Sequence, residues 1–93
     1  MRIRKMSKII CEDIVDYDAE KNYTDYTLDS EKNTLEIHTL CRIKGVGSSH
    51  TTKVCQLTEE QAQMLSTMSE EKCKAWCLTN QSSLSVISRS YNE

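Results

Sequence analysis

The chain has 93 residues, which is enough for one domain. Its apolar content of 38%, with Trp76 as the only tryptophan and no phenylalanine, lies below the roughly 45–50% of typical globular proteins. This composition excludes a large aromatic core, and we expect modest stability. Self-association into a homodimer would add the burial that a single copy lacks.

The formal net charge of −2 hides a strong asymmetry along the chain. Residues 1–10 carry four basic and no acidic side chains, whereas residues 11–36 carry nine acidic and two basic ones, a local balance of −7. Such asymmetry acts on the choice of partner rather than on the fold. The acidic balance argues against a protein dedicated to direct nucleic-acid binding.

No part of the sequence has the pattern of a targeting or membrane-spanning segment. The apolar run Ile9–Cys11 is stopped by Glu12 and Asp13, so it is too short for the core of a signal peptide. Nowhere do about 18 apolar residues run together, as a membrane span requires. We expect a cytoplasmic, single-domain protein over residues 1–93, with a disordered basic terminus over residues 1–6.

Alternation of apolar and polar residues predicts four strands in the first part of the chain. They span residues 8–17, 23–28, 34–44 and 51–57.

The strand over residues 34–44 shows the clearest alternation. Its odd positions include Leu35, Ile37, Cys41 and Ile43, and its even positions are mostly polar. This pattern is typical of an antiparallel strand that is buried on one face.

Two loops connect these strands with turn-forming residues. In Asp29–Asn33, the aspartate can start the turn and the asparagine tolerates the left-handed conformation that ends it. The segment Gly45–Ser49 supplies the next turn. A third turn is predicted over Asp18–Asn22.

A helix is predicted to begin after Thr58, which forms a capping box with Gln61. Ser69 lies within the apolar stripe of this region and is followed by two glutamates, so it can open a second helix. One kinked helix over residues 59–78 and two short helices therefore fit the pattern equally well. The side chains of the apolar stripe are Ala62, Leu65, Cys73, Trp76 and Cys77.

The last element is a strand over residues 84–91, which we expect at an edge of the sheet. The predicted fold class is α+β, with the approximate order β-β-β-β-α-β. A small, mostly antiparallel sheet carries one kinked helix or two short helices on one face.

Five cysteines are the first candidates for chemistry. If the hairpin register places Cys41 opposite Cys55, these thiols and those of Cys73 and Cys77 can converge on a structural zinc ion. The spacing of these cysteines matches no established zinc pattern, however. We therefore favour free thiols in a reducing compartment and no cofactor, and keep a zinc-stabilised adaptor module as the alternative.

No catalytic constellation emerges from the sequence. His38 lies on the strand face opposite to Cys41, and His50 lies in or beside a turn, so neither is placed to activate a cysteine. Gly45 and Gly47 lie between two strands rather than before a helix, which argues against a phosphate-binding loop. We therefore expect a protein that is not an enzyme.

The acidic stretch over residues 12–36 is interleaved with tyrosines, which are enriched at protein interfaces. In an extended strand, alternate carboxylates share a face at spacings of about 6–7 Å, close to those of successive phosphates in a nucleic acid. We expect such a ladder to align Asp16 with Asp18 and Asp25 with Asp29. The predicted contact residues are Asp13, Asp16, Tyr17, Asp18, Tyr23, Asp25, Tyr26 and Asp29.

The functional hypothesis is a small regulator or inhibitor that binds a basic surface of a partner protein, such as a nucleic-acid-binding groove. Accessory proteins of phages and mobile elements have this size and composition, and the comparison extends no further than that. The alternative for the acidic stretch is a solvated surface without a partner.

Overall fold

A computed structural model describes residues 7–16 and 18–92. They form a five-stranded antiparallel sheet in which each strand pairs with the next in sequence, and two helices pack on one face. The predicted α+β class is confirmed. The elements are β1 (Ser7–Asp16), β2 (Glu20–Asp29), β3 (Thr34–Ile43), β4 (Gly47–Gln56), α1 (Glu59–Thr67), α2 (Glu70–Asn80), a 3-10 turn (Gln81–Ser83) and β5 (Ser85–Asn92).

The loop between β2 and β3 has the predicted turn chemistry. The Asp29 carboxylate accepts hydrogen bonds from the backbone N–H groups of Glu31 and Lys32, each at 3.0 Å. Asn33 has a φ angle of 56°, in the left-handed region that asparagine tolerates. Both predicted roles are therefore confirmed.

Two other connections are shorter than predicted. β2 begins at Glu20 rather than at residue 23, because Glu20–Asn22 pair with β3. β4 begins at Gly47, and the turn before it includes Gly45 with a φ angle of 81°. The glycines thus form a hairpin turn, as predicted, but β2 and β4 each begin several residues earlier than predicted.

Two helices, rather than one kinked helix, follow β4. The Thr58 hydroxyl accepts the Gln61 N–H at 3.0 Å, and the Gln61 side chain accepts the Thr58 N–H at 2.9 Å, which confirms the capping box. Met68 is extended, and the Ser69 hydroxyl then accepts the Lys72 N–H at 3.3 Å to start α2. None of the helices in the described part of the chain is long and apolar enough to span a membrane.

The core lies between the helices and one end of the sheet. In β1 the pairing skips Ile10, and this bulge lets both Ile10 and Cys11 be buried. Ile43, at the other end of the sheet, is 40% exposed, because the helices do not reach it. The buried apolar side chains are Ile10, Cys11, Tyr26, Leu28, Leu35, Ile37, Cys55, Leu57, Ala62, Leu65, Cys73 and Cys77.

Leu65 lies at the centre of the helical packing, whereas Trp76 is only partly buried at its border. We predict that Leu65→Ala lowers the free energy of unfolding by about 2–5 kcal/mol, because a cavity replaces buried contacts. Leu78→Ala, at a position that is 45% exposed, should change it by less than about 0.5 kcal/mol. Chemical denaturation of both variants checks this. Equal destabilisation would contradict the central position of Leu65.

Candidate protein-interaction surface

The sheet has two chemically different faces. Tyr26 and Leu28 of β2 point towards the helices and are each 1% exposed. Side chains alternate across a strand, so Asp25 and Thr27 point to the other side. We call that side of the sheet the open face.

Three carboxylates meet on the open face as a result of strand pairing. Glu12 of β1 is paired with Asp25 of β2, and Asp25 with His38 of β3. The His38 ring lies between two acids, with Nδ1 2.8 Å from Asp25 Oδ1 and Nε2 3.0 Å from Glu36 Oε1. We call Glu12, Asp25, Glu36 and His38 the carboxylate cluster.

The carboxylate cluster stays negative whichever form the His38 ring takes. A neutral imidazole has one N–H and can donate to one of its two acidic neighbours, whereas a protonated ring donates to both. A protonated ring adds one positive charge, and the three carboxylates still exceed it. The cluster can therefore attract a cation from a partner.

Tyr23 connects the carboxylate cluster to an apolar row. Its hydroxyl donates a hydrogen bond to Glu12, and this bond, with some desolvation, raises the pKa of Tyr23 to about 12. The phenol therefore stays protonated near neutral pH. Ile14 and Leu40 are the direct strand partners of Tyr23, and Ile14 is 56% exposed. We call Ile14, Tyr23 and Leu40 the apolar row.

The open face thus combines the features of an interface. Ile9, paired with Thr27 and 57% exposed, adds another apolar side chain next to the cluster. Apolar side chains bordered by charge are the usual anatomy of a protein–protein contact. A broad sheet face suits a protein partner better than a small molecule, which binds in concave sites.

The structure brings together only some of the predicted contact residues. Tyr23 and Asp25 lie on the open face, within or beside the carboxylate cluster. Asp16 also points to the open face, opposite Lys21, and is exposed. Asp18 is exposed in the bend after β1, and Tyr17 lies outside the described residues.

The prediction that Tyr26 contacts a partner is wrong. Tyr26 is in the core, where burial raises its pKa to about 12 and its hydroxyl donates to the Gln81 side chain at 3.1 Å. The physical reason is its position in β2, two residues before the buried Leu28. Asp13 also points to the helical side, and its carboxylate lies 3.3 Å from the Lys74 ammonium of α2.

Only part of the predicted alignment of carboxylates is found. Asp18 lies beyond the end of β1 and is not aligned with Asp16 along a strand. Asp25 and Asp29 share one face of β2, as predicted, but the Asp29 carboxylate accepts hydrogen bonds from the backbone of its own loop. The carboxylates of the open face are instead gathered across three strands.

The sequence prediction did not name three residues of the cluster as contacts: Glu12 and Glu36, which lie within the predicted acidic stretch, and His38, which lies outside it. The prediction placed His38 correctly on the face opposite Cys41 but did not connect it with Asp25, which is 13 residues away in the chain. The predicted loop between β2 and β3 contained the information needed to pair Asp25 with His38. Pairing of Asp29 with Thr34 across it fixes the register that sets Asp25 opposite His38.

Strand register also separates the cysteines of the zinc alternative. Cys41 pairs with Ser49, and Cys55 pairs with Leu35, so the expected contact between Cys41 and Cys55 is wrong. The cause is the short turn at Gly45, which shifts the pairing of β3 with β4. Over residues 7–16 and 18–92, no group of three or more histidine, cysteine or acidic side chains is arranged to hold a metal ion.

Cys41 is the only one of the five cysteines that is not fully buried. Burial raises the pKa of Cys11 to about 11 and raises that of Cys77 as well, so both thiols stay protonated and unreactive near neutral pH. We predict that a chromogenic thiol reagent modifies Cys41 first in the folded protein and all cysteines after unfolding. Fast modification that persists in Cys41→Ser would contradict the assignment of the other cysteines to the core.

Comparison of the chain with family models, curated proteins and solved structures finds no match. Inference about function therefore rests on the open face, where the carboxylate cluster adjoins the apolar row.

Proposed function

We propose that this chain is a small, non-enzymatic protein-binding regulator or inhibitor that engages a basic surface of a partner protein. The contact is made by the open face. The observation that supports the proposal is the position of the carboxylate cluster directly beside the apolar row of Ile14, Tyr23 and Leu40.

The carboxylate cluster supplies the electrostatic part of the contact. The side chains of Asp25 and Glu36 are 16% and 37% exposed, so both are partly removed from water. Charges in such an environment interact more strongly than fully solvated ones. A lysine or arginine of the partner would offset the repulsion between the acids, and the negative field would raise the association rate.

Tyr23 supplies the anchor of the contact. Tyrosine is among the residue types that contribute most to binding energy at interfaces. Its hydroxyl already donates to Glu12, so a partner that covers the ring leaves no unsatisfied donor. Ile14 and Leu40 extend the apolar area on both sides of the ring.

The size of the open face is adequate for a stable complex. The four strands of ten residues are about 33 Å long and the eight-residue β5 is about 26 Å long, and five strands spaced by about 4.8 Å cover a width of about 24 Å. The resulting area of roughly 800 Å² equals one side of a standard protein–protein interface. A nucleic-acid-binding groove is one surface with the required basic charge.

Three baits test the proposal by affinity capture from the lysate of the cell that makes the protein. They are the wild type, the cluster variant Glu12→Gln/Glu36→Gln and the control Glu60→Gln/Glu71→Gln, which removes the same charge from exposed helical positions. We predict that a basic protein is captured by the wild type and the control and is lost on the cluster variant. Its affinity for the wild type should fall as salt rises.

Equal capture on all three folded baits, or an affinity independent of salt, would remove the open face as the binding surface. Competition by duplex DNA separates the possible partners. If DNA displaces the captured protein, a nucleic-acid-binding groove is engaged; otherwise the basic surface is of another kind.

Tyr23 variants test the anchor separately from the charge. Tyr23→Ala should weaken binding of the captured protein by about 2 kcal/mol or more, as expected for a central hot spot. Tyr23→Phe keeps the ring and should lose much less. Titration calorimetry measures both, with thermal melting as the control for folding. Similar losses in the two variants would show that the hydroxyl, rather than the ring, matters.

A further inference from the structure

In the part of the chain that the structure describes, the strand order leaves two edges of the sheet without a neighbouring strand, and they differ in protection. The β1 edge packs against α2, has a bulge at Ile10 and contains three acidic residues. Cover, bulges and charge are the usual means by which proteins protect edge strands. β1 is therefore a guarded edge.

The β5 edge has much less protection. All residues from Ser85 to Tyr91 are exposed. A bulge skips Ile87 near the start of the strand, but Ser88–Asn92 pair regularly with β4. The backbone groups on the outer side of this regular segment are thus open to a further strand.

A pair of cations lies next to this edge. Lys53 of β4 is directly opposite Arg89 of β5, on the helical side of the sheet. Neither takes part in an ion pair within residues 7–16 and 18–92, and neither β4 nor β5 contains an acidic residue. Like charges directly opposite each other are destabilising, so an anion beside Arg89 would relieve the repulsion.

We propose that the β5 edge accepts an extended segment of a partner protein by strand addition, and that this segment places a carboxylate beside Arg89. Backbone hydrogen bonds provide the binding, and side chains at alternate positions provide the selectivity. Tyr91 shares the face of Arg89 and is 62% exposed. The preferred segment therefore has an acidic residue and, two positions away, an apolar one.

This inference is independent of the function proposed for the open face. The carboxylate cluster is on β1, β2 and β3, whereas β5 forms the opposite edge of the sheet. The two surfaces also attract opposite charges. A variant that loses binding at one surface can therefore still be tested for binding at the other.

Two synthetic peptides serve as probes for the isotope-labelled full chain. Each peptide alternates threonine and valine, with threonine next to the central residue and valine two positions away from it. The central residue is glutamate in the first peptide and lysine in the second. We expect the glutamate peptide to shift the backbone amide resonances of Ser85–Asn92 and to bind about fivefold more tightly than the lysine peptide. Methylation of alternate peptide nitrogens should abolish binding, because strand addition needs those N–H donors.

Charge variants identify the residue that selects the peptide. Arg89→Glu should reverse the preference between the two peptides, whereas Lys53→Glu should only weaken it, because Arg89 still lies at the edge. The control is Arg42→Glu, at an exposed cation of β3 that points to the open face, and it should leave the preference unchanged. Thermal melting verifies that each variant is folded.

Two results would overturn the proposal. One is that both peptides bind equally tightly and that nitrogen methylation has no effect, or that neither peptide binds at millimolar concentration. The other is self-association of the chain alone, detected by sedimentation and disrupted by Arg89→Glu, because a second copy would then occupy the edge.

Discussion

The register between β2 and β3 is the constraint on which both the core and the open face depend. The four-residue loop after Asp29 fixes this register, since it pairs Asp29 with Thr34. Side chains alternate with a period of two, so a slip by one residue would expose the even positions of β2, such as Tyr26, and bury Asp25. Burial of a carboxylate and exposure of core side chains each cost free energy, so both oppose such a slip.

Much of the fold could be predicted from local chemistry. Loop residues, the capping box at Thr58 and the alternation in β3 depend on neighbours in sequence, and these predictions are confirmed. The choice between one helix and two could not be made, because Ser69 fits an apolar stripe poorly but caps a helix well. The pairing of Cys41 depends on the length of one turn, and an error of a few residues there changes every partner in β3 and β4.

The candidate site was predicted only in part, because the acidic segment contains both exposed and buried side chains. The tyrosines among the acids indicated a surface, and this holds for Tyr23. For Tyr26 burial prevails: a chain without phenylalanine has few large side chains for its core, and β2 supplies one of them. His38 and Glu36 join the site only through pairing across strands, which follows from the sequence only when the register set by the Asp29–Asn33 loop is traced back along β2 and β3.

The strand order also has a consequence for the sequence of folding events. The first four strands form a meander in which each pairs with its neighbour across a short loop, so little chain entropy is lost in each closure. β5 must instead return across both helices, from Leu57 to Ser85. No side chain between Ser85 and Tyr91 is buried, so the core can form before β5 docks. We infer that β5 joins the sheet last during folding and leaves it first during unfolding.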